Sequence, residues 1–327
     1  MRRIPPALAL FIIAPVFGEL LSGSAPFNEF VNPITFVNLA LLYGCGAIII
    51  RELVIRWGKG WLSIFLLGCA YGIYEEGIIV QSFFDPAWMD LGSLAFYGRV
   101  AGVNWVWAEH LTIYHAVISI MASIAFVEAF YPSQRGGRWV STRTVWVLNW
   151  VGFIGVYLFW EILTTYEPGI WRLFAWMAVL ALALLARLVP ARPLAAVERR
   201  PPHPLRFWFT GFIGMLWQFF ILYNGADNGM YPYPVTMLLL VAWDALILLL
   251  ILRWSGNAAA WDDRHRVMLV FGALSFFLII GLLTVGSQYP VMYFSNPIYL
   301  LLLALAAHKV NRRVNAELTP QATTAEV

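Results

Sequence analysis

Charge is what this sequence has least of. Asp, Glu, Lys and Arg make up 12% of its 327 residues, against about 25% in a soluble domain. Hydrophobic residues make up 61%. That balance excludes a soluble globular protein, and no polar stretch is long enough to fold as an appended soluble domain. Cysteine is nearly absent as well. Cys45 and Cys69 both lie in apolar runs, where they read as small buried side chains rather than a disulfide or a metal pair. The chain has no G-x-S-x-G, no Walker loop, no dinucleotide fingerprint and no H-E-x-x-H. The corresponding hydrolase, nucleotide and zincin sites are therefore excluded.

What the chain has in abundance is apolar runs near the ~20 residues that cross a bilayer. Ten candidate spans fall at about 5–22, 33–56, 61–82, 104–130, 144–165, 170–189, 207–224, 234–253, 267–287 and 290–308. The expected fold class is all-α, a polytopic transmembrane helix bundle. "SNP" at 295–297 could break the last span into a loop and a short helix. The first resembles a secretory signal, with Arg2, Arg3 and small residues near Ala25, but Glu19 inside the run argues for a retained helix.

Of 21 Lys and Arg residues, 19 fall on one side of this arrangement, and only Arg99 and Arg172 fall on the other. The positive-inside rule then places both termini in the cytoplasm, and the expected location is the plasma (cell) membrane. The net charge of +3 reflects membrane topology, and no nucleic-acid partner is expected. The spacing predicts a six-helix membrane part over 1–189 and a basic, Pro-rich inner linker over 190–206. A four-helix part over 207–310 and a disordered polar tail over 311–327 follow. The longest outer connection, 83–103, mixes acids with Trp88, Leu91, Leu94 and Tyr97 and reads as an interfacial element.

Against this background "YGIYEEGIIVQSFFDP", residues 71–86, stands out. Ionisable groups cost at least ~2.5–3.5 kcal/mol each at mid-bilayer, so an intramembrane carboxylate is a functional candidate. At about 1.5 Å per residue across a core of roughly 30 Å, Glu75 and Glu76 lie some 8 Å below the outer face. Glu19 and Glu161 reach the same level on two other helices. Glu109 and His110 enter the layer on a fourth, with His115 deeper and Tyr114 beside it. The expectation is one site, open to the outer side, in which Glu75 or Glu76 meets His110 or His115. Successive residues of an α-helix point about 100° apart, so one glutamate is expected to face the site while the other caps a loop or pairs with Arg99. Asp244, in the middle of the eighth span, is a candidate for a separate buried site.

A carboxylate in a low-dielectric site is suited to general-base work, and an imidazole beside it can stabilise an oxyanion. Together they can activate water without a metal. Glu and His also ligate zinc, but so Glu-rich a set reads as an acid/base site, with no cofactor and no metal expected.

Adjacent glutamates in one transmembrane helix, followed 35–40 residues later by a histidine in the next, resemble the CAAX-protease and bacteriocin-processing family of intramembrane glutamate proteases. The resemblance covers about residues 61–120. The family's E-E-x-x-x-R is matched by "EEGIIV" with Val80 at the arginine position, and its F-x-x-x-H by "LTIYH" with Leu111 for the aromatic. Its third motif has no counterpart, because His203, His265 and His308 lie in inner loops or at an inner helix end. The resemblance implies that Glu75 or Glu76 activates water and that His115 assists.

Three functions compete on these residues. One is an intramembrane hydrolase of a lipid-embedded peptide or lipid. The second is a proton- or cation-coupled transporter, with the acids as a relay. The third is a non-catalytic scaffold that binds a partner through 83–103. Membrane lipids surround the protein in all three, and the sequence leaves the oligomeric state open.

Overall fold

The computed structural model describes residues 4–257, 260–284 and 286–318. Ten long helices account for most of it: α1 (Pro6–Leu20), α2 (Pro33–Arg56), α3 (Trp61–Ile79), α4 (Trp105–Phe130), α5 (Thr142–Leu163), α6 (Ile170–Leu188), α7 (Pro204–Ala226), α8 (Tyr233–Ser255), α9 (Asp263–Thr284) and α10 (Met292–Leu318). The helices α2 to α9 are each long and apolar enough to cross a bilayer. The shorter α1 and the more polar α10 complete the bundle.

Helix ends follow local chemistry. Asn32 caps α2, accepting from the Ile34 amide at 3.0 Å just ahead of Pro33. Asn104 caps α4, accepting from the Trp107 amide at 3.0 Å and donating to the Leu94 carbonyl at 2.6 Å. The helix α3 gives way at Gln81, whose φ of +61° takes the chain out of the right-handed region. Between α3 and α4 runs the 83–103 connection, with a short turn at Gly92–Ala95 and a two-residue hairpin pairing Arg99–Val100 with Val103–Asn104. Arg99 does not pair with a glutamate. Its guanidinium is spent on the carbonyls of Ala95, Phe84 and Gly102 within this connection.

The helices α3 and α4 lie at the centre, flanked by α1, α2 and α6. Gly68 and Gly72, spaced G-x-x-x-G, face α4 and permit the close approach such motifs give in membranes. A Cβ on Gly68 would sit 2.8 Å from Ala116 Cα, and one on Gly72 would sit 3.1 Å from His115 Cβ. The helix α7 packs on α9 with α8 outside it, and α9 joins this group to α4. The spans α5, α6 and α8 leave most of their surface on the outside of the bundle.

One end of the bundle is tied by ions. Arg51 is 1% exposed. It donates to Glu128 at 3.1 Å, to Glu52 at 3.0 Å and to the Arg135 carbonyl at 2.6 Å, with its guanidinium 3.3 Å from the Trp139 ring centre. Asp263 joins Arg135 and Arg313, both at 2.5 Å. Tyr131 also donates to the Ile4 carbonyl here, and Arg313 to that of Ala129, so the described ends of the chain share this side. Two expectations need adjustment. Residues 311–318, assigned above to a disordered tail, continue α10 because Arg313 is anchored to α4 and α9; 319–327 lie outside the described residues. "SNP" does not break the last helix either. Pro297 sits in an early turn of α10, and Asn296 braces it by donating to the Leu278 carbonyl at 2.9 Å.

Candidate functional site

Five of the helices leave regular α geometry. The chain widens to π-helix at Val16–Leu20, Ala40–Gly44, Tyr74–Ile79, His115–Ala122 and Asn149–Gly155. Such i→i+5 turns are rare and collect at functional sites. The first four carry Glu19, Tyr43, the Glu75–Glu76 pair and His115.

These side chains meet. His115 Nε2 lies 2.8 Å from Glu76 Oε1, and its Nδ1 lies 3.3 Å from Glu75 Oε2. A single imidazole therefore bridges both glutamates, so the expected division of labour between them does not hold. Two facts allow it. The wide turn reduces the angle between successive side chains, and the Gly72 gap lets the ring sit between the carboxylates. His115 Nδ1 also contacts Ser119 Oγ at 3.1 Å. Ser82 donates to Glu76 Oε2 and accepts from Trp107 Nε1 at 3.0 Å. Tyr43 donates to Glu19, and the Tyr71 hydroxyl is buried without a hydrogen-bond partner among the described residues. Tyr114 donates to the Gly18 carbonyl at 2.9 Å, tying α4 to the π turn that holds Glu19.

The centre is enclosed. Glu75, Glu76 and His115 are 4%, 8% and 2% exposed, so the expected open cavity is not what surrounds them. Glu75 and Glu76 share one imidazole, Glu19 is held by Tyr43, and no Lys or Arg pairs with any of the three among the described residues. One ligand atom each from Glu75, Glu76 and His115 falls within 4.8 Å of the others, a spacing that could also hold a divalent cation.

The remaining sequence candidates lie elsewhere. His110 is buried among Trp107, Tyr114 and Phe219, the last with its ring centre 5.1 Å away, and pairs with no carboxylate among the described residues. Glu161 pairs with Arg172 at 2.6 Å. Glu109 turns away from the centre towards α6 and α8, and Asp244 lies on α8. Four participants were missed in the sequence. Ser119, four residues after His115, and the G-x-x-x-G of α3 carried readable signals. Tyr43 and Ser82 carried none, since their partners lie on other segments or across a turn.

Fold and site together define a polytopic helical membrane protein with a buried glutamate–histidine centre. A family model described as an uncharacterized membrane protein family matches residues 8–311, and the chain belongs to that family. A protein of Archaeoglobus fulgidus, described as an uncharacterized protein, is 26% identical over 131 residues, which cover 39% of this chain and 39% of that one. No solved structure matches the chain.

Proposed function

We propose that the protein is an intramembrane hydrolase of the glutamate type, acting on a lipid-embedded peptide or lipid. The observation that carries this reading is the single imidazole held between two adjacent carboxylates, at 2.8 and 3.3 Å, inside the bundle. In this reading Glu76 takes a proton from water as the hydroxide attacks the substrate carbonyl. His115 delivers a proton to the departing amine or alkoxide and takes up the proton held by Glu76 across their 2.8 Å contact, so each turnover restores both groups. Ser82, itself held by Trp107, fixes the far oxygen of Glu76. The likeness to CAAX-type glutamate proteases supports the same assignment. Because the centre is enclosed, substrate reaches it only when the elements around it part.

A second reading, a proton-coupled transporter, is favoured by a different observation. Ser119 and Ser123 follow His115 along α4 in four-residue steps, fully buried, and the Ser123 hydroxyl has no partner. This polar file points from the Glu–His centre towards Glu128 and the ionic end.

The two are separated with purified protein in lipid vesicles. Peptide and lipid panels are assayed for turnover, and an internal dye reports proton movement. A hydrolase loses about 10²–10⁴-fold of its turnover in Glu76→Gln and a similar amount in His115→Ala, while Ser123→Ala stays active. A chelator tests the cation arm, and activity that collapses with chelator and returns with a divalent ion replaces the metal-free mechanism. Full activity in Glu76→Gln, with stability unchanged or raised, refutes the hydrolase. Proton flux lost in Ser123→Ala establishes the transporter instead.

A further inference from the structure

Glu109 was expected beside the other acids and instead faces a different space. A groove of about 540 Å³ runs between α3, α4, α6 and α8 and the start of the 83–103 connection. This volume is that of a small-ligand site. Its walls are almost wholly apolar, with Phe84, Trp105, Phe174 and Met237 among them, and Glu109 and Thr112 supply the polar side chains. Both Glu109 carboxylate oxygens are buried without a hydrogen-bond partner. Asp244 lies seven residues beyond Met237, hence on the same face of α8 two turns deeper. Neither acid forms an ion pair among the described residues.

A buried carboxylate is tolerated when it is paired. Here no Lys or Arg pairs with Glu109 or Asp244 among the described residues, so the complement is to be found outside the bundle. Everything around the acids suits hydrocarbon. At the rim, Trp105 and Trp171 stand edge to face with centres 6.0 Å apart, and indole faces attract ammonium groups.

We propose that this groove is a binding site for a cationic amphiphile, an amine head on a hydrocarbon body. The ammonium group rests against Glu109 with Asp244 behind it, and the chain lies along Phe84, Phe174 and Met237. The site is separate from the Glu76–His115 centre and does not depend on what that centre does. Two sources share the chemistry, the amine of a membrane lipid and a free long-chain amine.

The test uses the full chain in dodecyl maltoside micelles, with its thermal midpoint followed against added dodecylamine, dodecanol and dodecanoic acid. Dodecylamine should raise the midpoint saturably, at concentrations at least tenfold below those at which the other two act. Glu109→Gln keeps the side-chain shape and should weaken the amine effect at least tenfold. Met237→Trp, which fills the groove, should remove it. Glu76→Gln should leave it intact, so failure here and failure of the hydrolase reading are distinguishable. Phosphatidylethanolamine added in place of dodecylamine identifies the source. Protection that Glu109→Gln removes assigns a lipid headgroup, and protection by dodecylamine alone assigns a free amine. Equal effects of the three head groups, or an amine effect undiminished in both Glu109→Gln and Met237→Trp, would overturn the proposal.

Discussion

The close approach of α3 to α4 puts His115 between Glu75 and Glu76, and it can be perturbed one methyl group at a time. Alanine at Gly68 places Cβ 2.8 Å from the backbone Ala116 Cα and 3.1 Å from the Ala116 Cβ. Neither neighbour is a flexible side-chain end, so the helices themselves must part. Overpacking of this kind costs about 1–3 kcal/mol, offset by roughly 1 kcal/mol of helix propensity gained from glycine to alanine. The net expectation is a loss of about 0–2 kcal/mol, towards the upper end because backbone atoms make the contact. Gly72→Ala meets His115 Cβ and Thr112 Cα at 3.1 Å, and its net loss should be smaller, about 0–1 kcal/mol. Gly214→Ala on α7 meets only Ile247 side-chain atoms, at 3.7 Å, and should be neutral or stabilising by up to about 1 kcal/mol. Reversible unfolding in SDS mixed micelles, followed by tryptophan fluorescence, measures all three. The order of stability should be Gly214→Ala, then Gly72→Ala, then Gly68→Ala. If Gly68→Ala proves as stable as the unaltered protein while Gly214→Ala does not, backbone contact between α3 and α4 is not what seats the histidine.

Other expectations use the same titration. Arg51→Met removes the cation from between Glu52 and Glu128 and should cost roughly 3–5 kcal/mol; Arg51→Lys should not rescue it, because an ammonium cannot reproduce the forked contacts and the stacking on Trp139. Tyr43→Phe strips Glu19 of its donor, with an expected cost of about 1–3 kcal/mol. Asp262 directly precedes α9, outside the membrane-spanning helices. Burial alone would raise its pKa, but His265 and Arg264 outweigh burial and hold it well below its ordinary value of 3.8. A depressed folded-state pKa contributes stability above the unfolded value and loses it as pH falls through the folded one. Unfolding titrations stepped down from pH 5 should therefore show a decline below about pH 4 that is weaker in Asp262→Asn; identical declines in both proteins would refute the assignment.

Helix positions were legible because they rest on local signals. The apolar runs marked α1 to α9 to within a few residues at each end. The meeting of Glu19, Glu75, Glu76 and His115 was half legible, since counting residues gives depth along a helix. Depth carries no azimuth, so Glu109 and His110 fell into the same layer on paper while facing the groove and an aromatic nest in space. The assumption of 100° per residue likewise separated Glu75 from Glu76, because nothing in "YEEGII" announces a wide turn. The continuation of α10 past residue 311 was hidden for a different reason. The polar composition of that stretch is local, whereas the contacts of Arg313 with Asp263 and Ala129 join it to distant segments.

The π turns have a consequence for the two polar layers together. Helices α2 and α4 each serve both layers: Tyr43 and His115 near the Glu cluster, Arg51 with Glu52 and Glu128 at the ionic end. A regular α-helix locks the rotation of its two halves, so a residue count that aims His115 correctly also dictates where Glu128 points. One wide turn breaks that lock by letting the chain carry an extra residue without lengthening the path, so the residue count of one half no longer fixes the aim of the other. Deleting a single residue within His115–Ala122 would restore regular pitch, and because the wide turn had absorbed that residue, the helix beyond it would keep nearly its aim and leave Glu128 on Arg51 while the side chains within the turn are re-aimed. Each layer's geometry can therefore change by insertion or deletion inside a π turn without disturbing the other's aim.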